Sequence, residues 1–598
     1  MKNNPAKGVA WDLTPLYSGI DDPTIERDIE LIIQKAEEFS KNYRGRINTP
    51  VITPEEYKKI LEEMIEIEEI IIGLSQFVGL VSAKDNLNEE ISALKQKISE
   101  LNARIGADLT WFDLERKKWS EEKAKEMIES PVLSKFKHMH LHERDLIPFV
   151  LTEKEEAILS RFSPTGVSAL VKLYDKLQSN LRFEVELDGK KKNMTISEIG
   201  EVISTHADRD TRKRATEAVG KEVEKYKITN SLILNSLLLD SKISNAVRGF
   251  DYPEHAAYLD NETDSEAVSV MIAAVNDSFE ISERYFKAKK KALGYNELFD
   301  WDRSIPVYTD VQRKYTWEEA KTVVLDAFRM FDEEFADIAE TIIESGWVDA
   351  ELTEHKTAGA FCSFGTPSSN PFVLLNFTGT ITDVLALAHE LGHAIHSLLS
   401  KDQSLYEFWP STATAEVASV FSEAIVFDHL FASLDDKKEK INLLGAKIQD
   451  SIATVFIQTA FHQFEQDIHN HVLEKGELKT SDIEGYYSSR YESVYGEGIT
   501  LSENFKRRWP LIGHFFHYDF YVYCYVFGEL LTAALYRKYK EQGDDFVKEY
   551  KEGLALGGSK TPNEITKTMG VDITSKDFWK TGLQALEEYV KEYEELIG

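Results

Sequence analysis

The sharpest chemical signal in the chain is His389-Glu390-Leu391-Gly392-His393. It lies in the periodic stretch Thr382–Ser400, which reads as a helix capped by Thr380 or Thr382. On a helix, His at i and i+4 share a face, about 6 Å apart along the axis. Both imidazoles then reach one Zn²⁺. Glu390 is turned away by about 100°. It can approach a metal-bound water without ligating the ion, which is how a metalloprotease places its general base. The plain alternative is a helix with two partly buried His and a surface Glu, and a third ligand would decide against it. A metzincin needs Gly at 396 and His at 399, but these positions hold His396 and Leu399. A gluzincin needs a downstream Glu on a second helix, and the candidates are Glu407, Glu416 and Glu423. Glu407 falls in Tyr406–Pro410, expected as loop. Glu416 and Glu423 share a face of the helical pattern Thr412–Leu430. A short antiparallel return would bring Glu416, in its first turns, to the His pair. Glu423 is then expected behind a ligand. His396 lies about 10 Å along the axis from His389, too far to join it on one ion, and is expected to be structural or to back the ligands.

A second constellation runs from Gly513 through His514, His517, Tyr518, Tyr521 and Tyr525. Amide hydrolysis needs a donor for the developing oxyanion, and His or Tyr can supply it. The bland alternative is an aromatic core stripe. Upstream of the motif, Phe372–Phe377 reads as a short strand, either an edge to which an extended peptide adds or part of an ordinary small sheet, with Gly359–Cys362 beside it.

Helices must position these groups. Helical periodicity covers residues 25–45, 54–83, 86–117, 153–178, 208–248, 264–293 and 316–345. Residues 54–83 and 86–117 read as a long antiparallel hairpin broken near Lys84-Asp85-Asn86. Arg182–Leu187, Asp188-Gly189 and the residues from Lys190 read as a β-hairpin. The region 494–504, with Gly496 and Gly498, reads as a flexible loop. The nearest boundary lies near 181–195, which suggests an N-terminal helical region, 1–195, and a catalytic region, 196–598.

Over 598 residues, 70 Lys+Arg against 103 Asp+Glu give a net charge of -33. Such a chain repels phosphate backbones, so nucleic acid is not an expected partner. Two cysteines, Cys362 and Cys524, exclude a disulfide framework and any multi-Cys zinc site. The start, MKNNPAKGVAWDL, has no apolar signal core. Ile70–Ala83 is too short to span a membrane, and Leu511–Tyr536 carries His514, His517, Asp519 and Glu529. No membrane association is expected, and a cytoplasmic location is.

The motif His389–His393, the run Thr414-Ala415-Glu416-Val417-Ala418-Ser419, and His514 followed by Phe520-Tyr521-Val522-Tyr523 resemble the oligoendopeptidase F family. These are cytosolic zinc oligopeptidases related to thimet oligopeptidase. Trp11–Tyr17, Leu259-Asp260-Asn261, Trp347–Ala350 and Gly359–Cys362 extend the resemblance over essentially the whole chain. It implies a mainly α, zincin-type fold with a small β-sheet, closed around a deep substrate channel. It implies endopeptidase action on short unstructured peptides with one Zn²⁺. By motif position, His389 and His393 are the implied zinc ligands, Glu390 the general base, and Glu416, three residues before a Ser, the third ligand. His514 and a following Tyr are the implied oxyanion donors. Tyr525 matches best, with a one-residue gap, and Tyr518 and Tyr521 stay open. The glycine-rich loop of thimet oligopeptidase is missing between His514 and Tyr525. Two other readings are a carboxydipeptidase-like zinc exopeptidase on the same scaffold, with Arg507 or Arg508 holding the chain terminus, and a non-catalytic peptide-binding protein.

Overall fold

A computed structural model describes residues 4–187, 189–310 and 313–598. The fold is mainly α with two small sheets, as the sequence pattern predicts. The chain forms two compact units, each assembled from three stretches. The first comprises Met1–Ile147, Arg313–Ala432 and Lys538–Val571, and the second Pro148–Gln312, Ser433–Arg537 and Asp572–Gly598.

In the first unit, helices Pro54–Lys84 and Glu89–Lys117 form the expected hairpin. Asn102 bonds Ser75, and Lys95 bonds Ser82, so residue numbers rise on one helix as they fall on the other. Thr53 and Asn88 cap the two starts. Helix Pro23–Tyr43 buries Ile25, Ile29, Ile32, Ala36 and Phe39 on one face, and this face joins the hairpin in one apolar core. The expected helical stretch 316–345 divides at Asp332 into Trp317–Phe331 and Glu333–Glu344. Asp332 is extended (φ −162°), and its carboxylate accepts the Phe335 N–H and pairs with Lys551. One residue thus ends one helix and caps the next.

The three-stranded sheet comprises Val348–Asp349, Phe361–Ser363 and Phe372–Leu374. Phe372–Leu374 is the central strand, parallel to Val348–Asp349 and antiparallel to Phe361–Ser363. This corrects the edge-strand reading of Phe372–Phe377. All three central side chains are fully buried, as a strand covered on both faces requires, and the partly exposed Phe361–Ser363 takes the edge. Phe372 and Leu374 pack on Trp11, Leu80 and Ala83, which ties the sheet to the helical hairpin. Lys356 closes the far end. Its buried ammonium pairs with the Asp349 carboxylate and donates to the carbonyls of Glu351 (2.8 Å) and Leu375 (2.7 Å).

In the second unit, Phe183–Leu187 pairs antiparallel with Lys190–Met194. Phe183, Val185 and Leu187 alternate inward onto helix Arg209–Glu224. Asp188 of the expected turn lies outside the described residues. Arg212 and Asp302 form a fully buried ion pair at 2.7 Å. The helical run from Lys437 to Glu474 carries a π-helical turn at Ile452–Ile457. The region 494–504 is packed, unlike the loose loop its glycines suggest. Gly496 (φ 49°) has the Glu283 carboxyl where a Cβ would stand, Gly498 has Phe286 there, and Thr500 N–H donates to Leu298 O. These glycines serve close approach. Among the described residues no helix is long and apolar enough to cross a membrane.

Lys356→Met leaves the Asp349 carboxylate buried without its main partner. We expect a loss of about 3–5 kcal/mol of unfolding free energy in the first unit, the scale for breaking a buried pair. Urea unfolding followed by a probe in that unit checks it, and a loss within about 0.5 kcal/mol, the surface-site range, would show that the pair does not hold the sheet.

Candidate active site

The motif helix runs from Ile381 to Leu399 with Thr380 as N-cap. Thr380 Oγ1 accepts the Asp383 N–H, and Asp383 Oδ2 accepts the N–H groups of Thr378 and Thr380, a reciprocal capping box. The start is reached through Gly379 (φ 83°), where the Tyr315 carbonyl occupies the space of a Cβ. Five residues beyond the central strand, this turn fixes where the helix begins.

On that helix the rings of His389 and His393 stand edge to face, centres 5.1 Å apart. Their Nε2 atoms lie 3.3 and 3.4 Å from Glu416 Oε2. One donor atom from each of the three residues lies within 4.8 Å of the others. Two imidazole nitrogens and a carboxylate oxygen converging on one point are a donor set that fits a single Zn²⁺ with a position left open. Burial depresses His389, but the Glu416 and Glu423 carboxylates outweigh it and push its pKa up to about 10. Burial raises Glu416, and the two imidazoles outweigh that, holding it well below the usual carboxylate range. Glu390 is buried beside them, and burial raises its pKa against the pull of His389 and His393.

Glu416 does not sit within one helix, as the pattern over 412–430 suggests. It occupies the break between Thr412–Ala415 and Val417–Ser433, at φ −85° and ψ −2°. Ser419 Oγ donates to Glu416 Oε2 at 2.7 Å and to its backbone carbonyl at 3.0 Å, which holds the carboxylate toward the His pair. Glu423 Oε2 lies 3.6 Å from His389 Nδ1, behind the ring. A carboxylate there favours the tautomer that leaves Nε2 free for a metal.

Gly392 makes this approach possible. A Cβ on it would stand 2.5 Å from the Ala418 carbonyl oxygen and 2.7 Å from Ser419 Cα and Ser422 Oγ. Backbone meets backbone there, and no side chain fits. The roles of Gly392 and Ser419 are not apparent from metal-ligand spacing alone. The signal present in the sequence is a glycine facing a run of small residues, Ala418, Ser419 and Ser422.

The remaining first-unit candidates lie elsewhere. Glu407, in the short 3₁₀ turn Leu405–Glu407, is buried and accepts the N–H groups of His138 (2.8 Å) and Met139 (3.2 Å). It caps the helix Lys137–Leu146 from a distant part of the chain. Burial pushes its pKa up to about 7. His396 is fully enclosed against Phe364, and burial drives its pKa down to about 3, so it is a neutral core residue.

His514 and Tyr525 belong to the second unit. His514 opens the short helix His514–His517, and Tyr525 lies in the first turn of Tyr523–Gln542. His514 Nε2 is 3.2 Å from Tyr525 Oη. Burial lowers the His514 pKa. Tyr521 lies nearly parallel to the His514 ring at 6.2 Å, and Tyr518 is 60% exposed. Of the three tyrosines left open by the sequence, Tyr525 is the one with a hydroxyl contact to His514 among the described contacts.

Residues 202–585 match the model of peptidase family M3, and residues 115–183 match that of oligopeptidase F. Oligopeptidase PepF of Bacillus subtilis is 28% identical over 528 residues, 88% of this chain and 78% of that protein. An oligoendopeptidase F homolog of Lactococcus lactis is 24% identical over 601 residues, 100% of this chain and 98% of that protein. A peptidase structure from Chlamydophila abortus superposes with a TM-score of 0.87 at 24% identity, covering 99% of this chain and all of that one. Oligoendopeptidase F from Enterococcus faecium gives a TM-score of 0.73 at 21% identity, covering 96% and 98%. Both solved structures share the fold.

Gly392→Ala should force the two helices apart and weaken zinc binding at least about 10-fold, as for lost support around a metal site. Glu416→Ala should empty the site. Glu423→Ala should lower affinity about 10- to 100-fold, and Glu407→Ala should leave zinc content intact while lowering the melting temperature. Competition against a zinc chelator measures all four, and a full zinc complement in Glu416→Ala would refute the ligand set.

Proposed function

Because the chain belongs to peptidase family M3, we propose that it is a zinc-dependent endopeptidase of the gluzincin type, cleaving internal bonds of short unstructured peptides. The observation that carries this reading is the convergence of His389, His393 and Glu416, with Glu390 buried beside them. The catalytic machinery is assigned to residues 196–598, with 1–195 as an N-terminal helical region. Both cysteines are free, in keeping with the reducing cytoplasm proposed as its location.

His389, His393 and Glu416 would hold the ion. Bound Zn²⁺ supplies a Lewis acid for the scissile carbonyl and lowers the pKa of water. Glu390 takes the proton from the attacking water and delivers it to the leaving nitrogen. Ser419 and Glu423 keep the ligand side chains oriented. His514 and Tyr525 donate hydrogen bonds to the oxyanion, a role supported by their match to the family motif. The outer side of edge strand Phe361–Ser363 offers backbone groups to an extended peptide.

An exopeptidase on this scaffold needs a free cation to hold a terminal carboxylate. Arg508 is buried against Asp300 (3.4 Å) and the Phe505 ring, and Arg507 pairs with Glu224 (3.2 Å). Their engagement favours internal cleavage. The intact donor set favours an enzyme over a peptide-binding scaffold.

Chelation should abolish hydrolysis of a peptide blocked at both ends, with the circular dichroism spectrum unchanged, and zinc should restore it. Glu390→Gln should retain zinc and lose at least about 100-fold in kcat. Zinc-loaded Glu390→Gln at the wild-type rate would remove Glu390 from the reaction. Cleavage of free-ended peptides alone would favour the exopeptidase.

Tyr525→Phe deletes one hydroxyl and keeps the ring. It should lower kcat and kcat/KM together by roughly 100- to 1000-fold, with KM little changed. A lowered melting temperature with normal turnover would make Tyr525 a packing residue, and a large loss in Tyr518→Phe or Tyr521→Phe instead would move the donor.

A further inference from the structure

Phe520 is held at φ 52°, a left-handed conformation that bulky L residues rarely adopt. Its N–H donates to Glu465 Oε1 at 2.9 Å. Its ring is fully buried against His462 and His469, ring centres 5.8 and 4.6 Å away. His462, Glu465 and His469 stand at i, i+3 and i+7 of helix Gln458–Glu474, on one face. The same face reaches the flanking residues. His469 Nε2 lies 3.8 Å from Asp519 Oδ1, and the His462 ring lies 6.0 Å from that of Tyr523. Glu465 is 2% exposed, and burial holds its carboxyl well above the usual range, outweighing the Phe520 N–H. A carboxyl oxygen accepts the N–H in either protonation state.

The turn at Phe520 lies between His514 and Tyr525, and its reversal returns the Tyr525 hydroxyl to within 3.2 Å of His514 Nε2. We propose that Glu465 is a positioning residue for peptide hydrolysis. By accepting the Phe520 N–H, it locks the left-handed turn that presents the His514–Tyr525 pair in one geometry. The proposal rests on the reading of that pair as oxyanion donors. Without the acceptor, only the packing of the ring opposes the steric strain. Phe520 relaxes toward negative φ, the following residues swing, and the hydroxyl leaves the imidazole. The pair then spends only part of its time in the geometry the transition state needs.

Kinetics on a doubly blocked fluorogenic peptide, with zinc content measured on each variant, test this. Glu465→Ala should lower kcat about 10- to 100-fold, less than outright loss of a donor, with KM within about twofold and zinc unchanged. Glu465→Gln keeps a carbonyl acceptor and should recover most of the rate. In a Tyr525→Phe background, Glu465→Ala should cost less than about threefold more, because residues acting as one unit are not additive. If Glu465→Ala does not fold, Glu465→Met keeps the volume and lacks the acceptor, and serves in its place. Wild-type kcat in the acceptor-less variant, no recovery with Gln, or a loss that multiplies in full with Tyr525→Phe would each overturn the proposal. A kcat loss in Tyr525→Phe without one in Glu465→Ala sinks this inference alone. Wild-type kcat in Tyr525→Phe sinks the oxyanion reading and this proposal with it.

Discussion

The convergence of His389, His393 and Glu416 depends on a helix crossing with no room for a side chain at Gly392. The Ala418 carbonyl and Ser419 Cα occupy that space, so the crossing point along both helices is set to within a residue. The rest follows from helical spacing. His389 and His393 stand three residues before and one after Gly392. Glu416 and Glu423 stand three before and four after Ser419, one turn to either side. Glu416 therefore meets the Nε2 atoms of the pair, and Glu423 arrives behind His389 at Nδ1. One steric condition places Glu416 and Glu423 at the two nitrogens of His389 together.

That crossing needs its helix ends fixed, and polar groups do this. The Thr380–Asp383 box sets where the motif helix starts. Lys356 draws in the carbonyls of Glu351 and Leu375, so the strand leading to that helix cannot slide. Beyond the helix, Glu407 holds the return segment by capping a helix some 270 residues earlier in the chain. Lys356 and Glu407 are costly to bury alone and stabilising only with their partners in place. They act as checks on register that apolar contacts, which tolerate sliding, do not supply.

The readable parts of the sequence were those governed by local rules. The hairpin helices, the Thr380 cap and the His389–His393 face rest on periodicity and capping chemistry within a few residues, and the structure carries all of them. Tertiary partners produced the departures. Asp332 divides a periodic stretch because Lys551 and the Phe335 N–H are there to receive its carboxylate. Phe372–Leu374 is central because a two-residue strand, Val348–Asp349, too short to announce itself, pairs on its other side. Gly496 and Gly498 signal a loop in any sequence, and only contact with Glu283 and Phe286 reveals them as points of close packing.

The acidic residues show why the site itself was only half legible. Glu390, Glu407, Glu416 and Glu465 are one chemical type, and local sequence barely separates them. Their surroundings do. Glu416 faces two imidazoles and is held ionised. Glu390 sits beside the same imidazoles, but burial outweighs them and raises its pKa. Glu407 and Glu465 are buried where backbone N–H groups are their main partners, and both are pushed upward. Desolvation and neighbouring charge oppose each other in every case, and their balance is set by residues tens to hundreds of positions away. A motif can name the two histidines because helical geometry delivers both at once. Which carboxylate joins them is decided only when the second helix arrives, and Gly392 is what lets it come close enough.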